Sequence, residues 1–194
     1  MKTQEIRWFS TSRLKSIEET FDNDFKGYVM DESRVDTYLH TPCADINLKL
    51  RDNLLEIKKR TSTPRSRIKI GKSSGYLENW IKWQVDSEIG LHSPEHWHDV
   101  KKRRRLVHFD AEGQLALAED GEKPAGMQIE YTELSIDGSI SFSLAVEWTV
   151  EKTETHCDIL KNLLRKHELI LRQSMGYPEY LATLLKTPLE LLEF

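Results

Sequence analysis

Apolar and polar residues alternate with period two through most of the first 150 positions, and helical spacing dominates only afterwards. In DINLKLRDNLLEIKKR (45–60), Ile46, Leu48 and Leu50 share one face of an extended strand, while Asn47, Lys49 and Arg51 share the other. On the next strand Leu55 and Ile57 oppose Glu56, Lys58 and Arg60. A two-residue turn at Asp52-Asn53 pairs Leu50 with Leu55, Leu48 with Ile57, Lys49 with Glu56 and Asn47 with Lys58. The result is a hairpin with one apolar and one cationic face. A second hairpin, in MQIEYTELSIDGSISFSLAVEWTVE (127–151), turns at Asp137-Gly138, the strongest short hairpin signal a sequence offers. Its apolar face carries Ile129, Tyr131, Phe142, Leu144, Val146 and Trp148. Its polar face carries Gln128, Glu130, Thr132, Ser143, Ala145 and Glu147.

Further strands read from TQEIRWF, RVDTYLHTP, SRIKIGK (66–72), ENWIKWQVD (78–86) and KKRRRLVHFD (101–110), with Gly75 expected in the turn between 66–72 and 78–86. Residues 87 to 99 read as a loop. Leu14, Ile17, Phe21 and Phe25 repeat at helical spacing over 13–26. THCDILKNLLRKHELILRQSM (155–175) shows one broad apolar stripe ending near Gly176, and Pro178 opens a last short helix. About eight sequential strands with tight turns predict an antiparallel sheet able to close into a barrel. The predicted class is α+β: an eight-stranded antiparallel barrel with helices packed outside. It forms a single domain over 1–194, with barrel strands at roughly 3–151 and C-terminal helices at 153–194.

Charge decides what those polar faces mean. The 194 residues hold 28 Lys+Arg and 32 Asp+Glu, a net charge of -4, which excludes a nucleic-acid binder driven by a strongly basic surface. No apolar run is long enough to cross a bilayer, and MKTQEIRWFS lacks the apolar core of a signal peptide, so the expectation is a cytoplasmic chain with no membrane partner. Cys43 and Cys157 have no metal-type spacing and read as ordinary thiols. At 31% charged residues, the composition fits charges placed inside as well as outside. A cationic sheet face is either a solvated surface or the lining of a cavity. Alternation alone leaves both open.

Alternation also sets Arg67 and Lys69 opposite Ile68 and Ile70, and Lys82 opposite Ile81 and Trp83. In KKRRR either Arg103 and Arg105 or Lys102 and Arg104 point inward; the candidate set takes Arg103 and Arg105. Arginine suits phosphate because its planar fork donates two hydrogen bonds, whereas lysine acts as a point charge. A ring of inward cations repels itself unless an anion or carboxylates such as Glu56 compensate it. HSPEHWHD (His92, His96, His98, with Glu95) offers no closed zinc set. Gly71-Lys72-Ser73 lacks the upstream glycine of a phosphate loop. Trp80, Trp83 and Trp148 read as shell residues between barrel and helices.

Several stretches together resemble the CYTH superfamily, the triphosphate tunnel metalloenzymes. EIRWF stands where that family has Glu-x-Glu-x-Lys, RVDTYLHTP is similar to its Asp-x-Tyr-x-x-x-Pro-type strand, and the two hairpins are like its basic and acidic hairpins. The resemblance implies a tunnel that binds a phosphorylated anion, an inorganic polyphosphate or a nucleoside triphosphate. The implied phosphate ligands are Lys49, Arg51, Lys58 and Arg60, extended by Arg67, Lys69, Lys82, Arg103 and Arg105. Mg²⁺ or Mn²⁺ is implied at Glu5, Glu130 and Glu147, giving a metal-dependent phosphohydrolase. The departures sit at Arg7, where the family places a second glutamate, and Phe9, where it places a lysine. They make a catalytically inactive binding or interaction module the alternative.

Overall fold

The computed structural model describes residues 1–52, 54–62, 65–86, 96–117 and 124–185. In chain order they form β1 (Lys2–Ser10), α1 (Lys15–Asn23), β2 (Met30–Leu39), β3 (Ile46–Arg51), β4 (Leu54–Arg60), β5 (Ser66–Ile70) and β6 (Ser73–Asp86). Next come β7 (Trp97–Asp110), β8 (Leu115–Ala116), β9 (Gly126–Ile136), β10 (Ser139–Trp148), α2 (Glu154–Leu163) and α3 (Tyr177–Leu184). Eight strands close an antiparallel barrel in the order β1-β10-β9-β7-β2-β3-β4-β6, and β6 pairs back to β1. The expected strand neighbours were sequential; instead β1 lies between β10 and β6, and β2 between β7 and β3. β5 and β8 hang outside the ring on β6 and β7.

Both hairpins have the register expected from their turns. Lys49 pairs with Glu56 and Asn47 with Lys58. Around Asp137-Gly138, Ser139 pairs with Ile136 and Ala145 with Glu130. Asp137 and Gly138 have φ of 48° and 81°, the left-handed pair such a turn requires. Asn53 lies outside the described residues.

The barrel inverts the usual arrangement, with its continuous apolar face outward. Ile6, Trp8, Leu144, Val146 and Trp148 pack with Ile17 and Phe21 of α1 and Leu160 and Leu163 of α2 in one buried cluster. Burying each such side chain contributes about 1.5–3 kcal/mol, so the helices stabilise the barrel from outside and leave its interior free to be polar. α2 starts on Thr153, whose side chain accepts from the His156 N–H. It ends at Leu163, well short of the helix expected over 155–175. Past that point the backbone serves the sheet instead: Ser74 N–H donates to the Leu169 carbonyl, and Trp8 bridges to Ser174. Gly75, expected in a turn, lies inside β6; the turn is at Gly71-Lys72. A Cβ on Gly75 meets Ile6 Cδ1 at 2.7 Å and Trp8 Cζ2 at 2.9 Å, so the chain needs glycine there for close packing rather than for bending.

α3 departs from the expected outer position. Tyr177 and Leu181 pack against Phe9, Tyr38, Val100, Leu134 and Ile136, side chains that point into the barrel near one end. Phe9 stacks on Tyr180 with ring centroids 3.7 Å apart, and Tyr38 stacks on Tyr177 at 4.9 Å. The Tyr180 hydroxyl donates to Ser141 Oγ at 2.6 Å. Phe9, which stands where the resembled family has a lysine, is thus an apolar seat for α3. The helix closes that end, and the barrel becomes a cup.

Candidate functional site

The cup's interior is a cavity of about 90 Å³. Its wall carries eight cationic side chains, Arg7, Arg34, Lys49, Arg51, Lys58, Lys82, Lys102 and Arg104. Four carboxylates share that wall: Glu5, Glu56, Glu130 and Glu147. Strand parity produces this set, because every second residue of each barrel strand points inward. The hairpin face Asn47, Lys49, Arg51, Glu56 and Lys58 therefore lines the cavity rather than facing solvent, and Lys82 joins it from β6.

The other expected cations lie elsewhere. Arg60 is buried outside the cavity lining, tied to Asp45 and to Glu78 at 2.5 Å. Arg67 and Lys69 are exposed on β5, which is not a barrel strand. Arg103 is 80% exposed against Glu133, and Arg105 pairs with Asp22 and Asp31 on the outer face. The alternative parity of KKRRR is the inward one, bringing Lys102 and Arg104 to the cavity. The signal that separates them is the register with β2, where Arg34 faces Lys102 and Glu32 faces Arg104. Trp80 lines the cavity and Trp83 is exposed; only Trp148 belongs to the outer cluster. His92 and Glu95 lie outside the described residues, and His98 sits 3.8 Å from Asp137.

Two walls of the cavity differ in how their charges are used. On the β1–β10–β9–β7 wall, Arg7 Nε donates to Glu5 Oε1 at 2.9 Å and Arg7 Nη1 to Glu130 Oε1 at 3.1 Å. Ala145, the residue paired with both Arg7 and Glu130, is small enough to leave room for the guanidinium. Burial pushes the Glu130 carboxyl up, but Arg104, Arg7 and Lys102 outweigh it and hold it well below the usual carboxylate range. Burial likewise opposes the Arg7 charge, and Glu5 and Glu130 outweigh it, so Arg7 stays a permanent cation. On the opposite wall, Glu56 serves three lysines, with Lys49 at 3.0 Å and Lys82 at 3.4 Å. Burial lowers Lys49 to about 7, because Glu56 and Asp36 only partly offset the lost water and Lys102 and Lys58 repel it. Lys58 lies 3.5 Å from Glu5 and 3.6 Å from Glu147. Among the described residues, Arg51 has only the exposed Asp52 at 3.9 Å.

Lys102 and Tyr177 mark the floor. Lys102 Nζ donates to Asp36 Oδ2 and Tyr38 Oη, both at 2.6 Å, and lies 4.2 Å above the Tyr177 ring. Burial lowers Lys102 to about 8 against the pull of Asp36. Tyr177 is 6% exposed, and its hydroxyl has no hydrogen-bond partner among the described residues. A buried hydroxyl without a partner costs about 1–3 kcal/mol, and the position beside a cationic cavity suits a donor held for a ligand oxygen. Tyr177 and Arg34 were not candidates on sequence, and Lys102 and Arg104 stood only as the alternative to Arg103 and Arg105; RVDTYLH and KKRRR contain the alternation, but only pairing fixes its phase.

The carboxylates expected to hold Mg²⁺ or Mn²⁺ do converge: Glu5 pairs with Glu147 across β1 and β10, and Glu130 lies beyond them on β9. A hard divalent ion needs their oxygen lone pairs. Glu130 Oε1 accepts from Arg7 Nη1 and from Thr132 Oγ1 at 3.0 Å; its Oε2 accepts from Arg104 Nε at 3.0 Å and from Arg104 Nη2. A carboxylate offers about four acceptor positions, so Glu130 is saturated. Stripping buried guanidiniums of their partner costs about 3–5 kcal/mol. With Glu130 closed, Glu5 held by Arg7 and Lys58, and Glu147 facing Lys58 at 3.6 Å, these residues do not fit a divalent cation. Among the described residues, no group of three or more His, Cys, Asp or Glu is placed to hold one.

No protein-family model and no curated protein matches the chain. Among solved structures it is similar to the PH1012 protein from Pyrococcus horikoshii OT3, at 16% identity and a TM-score of 0.49, over 90% of this chain and 98% of that one. A candidate adenylate cyclase from Bacillus halodurans is 9% identical, with a TM-score of 0.47 over 85% and 90% of the two chains. HpAC1 of Hippeastrum, for which a dominant triphosphatase activity is described, is 12% identical with a TM-score of 0.48, over 98% and 99%. The closed eight-stranded barrel with a charged interior is the architecture that the sequence resemblance to the triphosphate tunnel fold implies.

Proposed function

We propose that this protein binds a phosphorylated anion, an inorganic polyphosphate or the phosphate chain of a nucleoside triphosphate, inside the cup. One observation carries the reading: eight cations line one space with four carboxylates, and they still outnumber the acids when Asp36 and Glu32, which pair with Arg34, Lys102 and Arg104, are counted. Such an excess raises its own energy and is relieved by a multivalent anion. Among the described residues the least engaged lining cations are Arg51 and Lys82, with Lys49 more buried and Lys58 held between Glu5 and Glu147. At about 90 Å³ the space is well below the roughly 300 Å³ of a pocket that encloses a drug-sized ligand, so phosphoryl groups enter and a nucleoside stays at the mouth. Thermal unfolding with tripolyphosphate tests this. A ligand that binds only the folded chain raises the melting temperature, by an amount set by its concentration over Kd. A flat response up to millimolar ligand contradicts the proposal.

The convergence of Glu5, Glu130 and Glu147 favours a second reading, metal-dependent phosphohydrolysis. It requires Arg7, Arg104 and Lys58 to release those carboxylates. Phosphate release from tripolyphosphate with Mg²⁺ or Mn²⁺ is its measurement, and no release above the protein-free rate is the outcome expected from the paired wall.

A further inference from the structure

The saturated wall bears on the form in which the anion is bound. Resting on the anion-binding reading of the cup, we infer that Arg7 is a built-in counter-cation that replaces a divalent metal, so that the cavity takes its anion free of metal. In sites that hold phosphate chains through metal, the ion neutralises phosphate oxygens while carboxylates anchor the ion. Here the anchoring carboxylates hold guanidiniums instead. Arg7 bridges Glu5 at 2.9 Å and Glu130 at 3.1 Å and also donates to Ser143 Oγ at 3.2 Å. Its position is built rather than incidental: Ala145 leaves the space, and the Tyr177 ring lies 4.9 Å from the guanidinium carbon.

Charge balance points the same way. The lining cations outnumber the carboxylates around them, eight against six with Asp36 and Glu32 counted beside the four of the lining. A divalent ion entering alone meets repulsion from that excess and finds no free oxygen on Glu130. An uncomplexed phosphate chain meets attraction from the same excess, and the unpartnered Tyr177 hydroxyl supplies a donor that a phosphate oxygen accepts and a metal ion cannot. Mg²⁺ in solution competes for the phosphate oxygens the cavity needs. Divalent metal is therefore an antagonist of binding here, or at most indifferent to it.

The test is calorimetric titration of tripolyphosphate into the full chain, once with EDTA and once with Mg²⁺ in excess over ligand. Binding in EDTA at least as tight as in Mg²⁺ is expected, with a Kd ratio up to about tenfold in favour of EDTA. Binding that appears only with Mg²⁺, or tightens with it, overturns the inference. Silence in both arms overturns the anion-binding reading and this inference with it. A second measurement needs no phosphate: Mn²⁺ titration monitored by electron paramagnetic resonance. The unaltered chain is expected to leave Mn²⁺ free at 1:1 micromolar mixing, and Arg7→Glu, which adds a carboxylate and removes the guanidinium, to capture it. Stoichiometric Mn²⁺ capture by the unaltered chain, lost in Glu130→Gln, overturns the inference even if Arg7→Glu fails to fold.

Discussion

The two charged walls of the cup are built from the same residue types and do opposite work. On the β1–β10–β9–β7 wall, Arg7, Arg104, Glu5 and Glu130 satisfy one another, and the charges act as structure. On the β3–β4–β6 wall, Lys49 and Lys82 share Glu56, Lys58 reaches Glu5 and Glu147, and among the described residues Arg51 has only an exposed, distant partner. Charge count alone therefore does not define a binding site; what matters is which charges remain uncompensated after the fold has paired the rest.

The contrast should be widest in stability. Arg7→Ala leaves Glu5 and Glu130 short of a buried partner and is expected to cost about 3–5 kcal/mol. At about 2–4 °C per kcal/mol for a chain of this size, the melting temperature falls by about 6–20 °C. Arg51→Ala, on the other wall, is expected to stay within about 0.5 kcal/mol of the parent. Equal losses in the two variants, read by thermal or urea unfolding, break the distinction between walls.

Binding should show the reverse order. Arg51→Glu is expected to weaken tripolyphosphate binding by at least tenfold, about 1.4 kcal/mol, while the unliganded melting temperature holds. An unchanged Kd, measured by titration calorimetry, removes Arg51 from the anion's path.

pH separates the walls a third way. Lys49, lowered by burial to about 7 from an ordinary 10.5, holds fewer protons folded than unfolded between those values. Stability contributed through this group therefore rises with pH across that window, by at most about 1.4 kcal/mol per unit. A bound anion favours protonated Lys49, so affinity falls over the same range. Urea midpoints and binding affinity (1/Kd) at pH 7 and 9 should move in opposite senses, and Lys49→Met should flatten both. Parallel movement contradicts the assignment of Lys49 to the uncompensated wall.

Much of the cup was legible before any coordinates. Both hairpins, their registers, the antiparallel class and the shared face of Lys49, Arg51 and Lys58 derive from two tight turns and strict alternation; that this face and Lys82 turn inward followed only from the strand count and the family resemblance. Arg67 and Lys69 were misplaced because periodicity cannot tell a barrel strand from one attached outside it. Arg103 and Arg105 were misplaced because KKRRR is charged on both faces, and only the β2–β7 register sets its phase. The long helix after Thr153 broke early because an apolar stripe fits equally a segment that lies along β6 and bonds to it. α3 carried no sign that its apolar face seats on Phe9 and Tyr38 inside the barrel mouth, since such a face fits any apolar surface.

The mildest change concerns that plug. Tyr177→Phe deletes a buried hydroxyl that has no partner, so stability should hold or rise slightly while tripolyphosphate affinity falls a few-fold. A clear loss of stability would show that the hydroxyl supports the fold rather than the ligand.

Uncompensated cations inside the cup are held to bind phosphate oxygens, and titration calorimetry of tripolyphosphate into the metal-free chain at pH 7, beside Arg51→Glu, puts that to the proof. Saturable binding with one anion per chain is expected in the parent, and at least tenfold weaker binding in the variant. No heat beyond dilution in the parent, or identical isotherms in the two proteins, would contradict it.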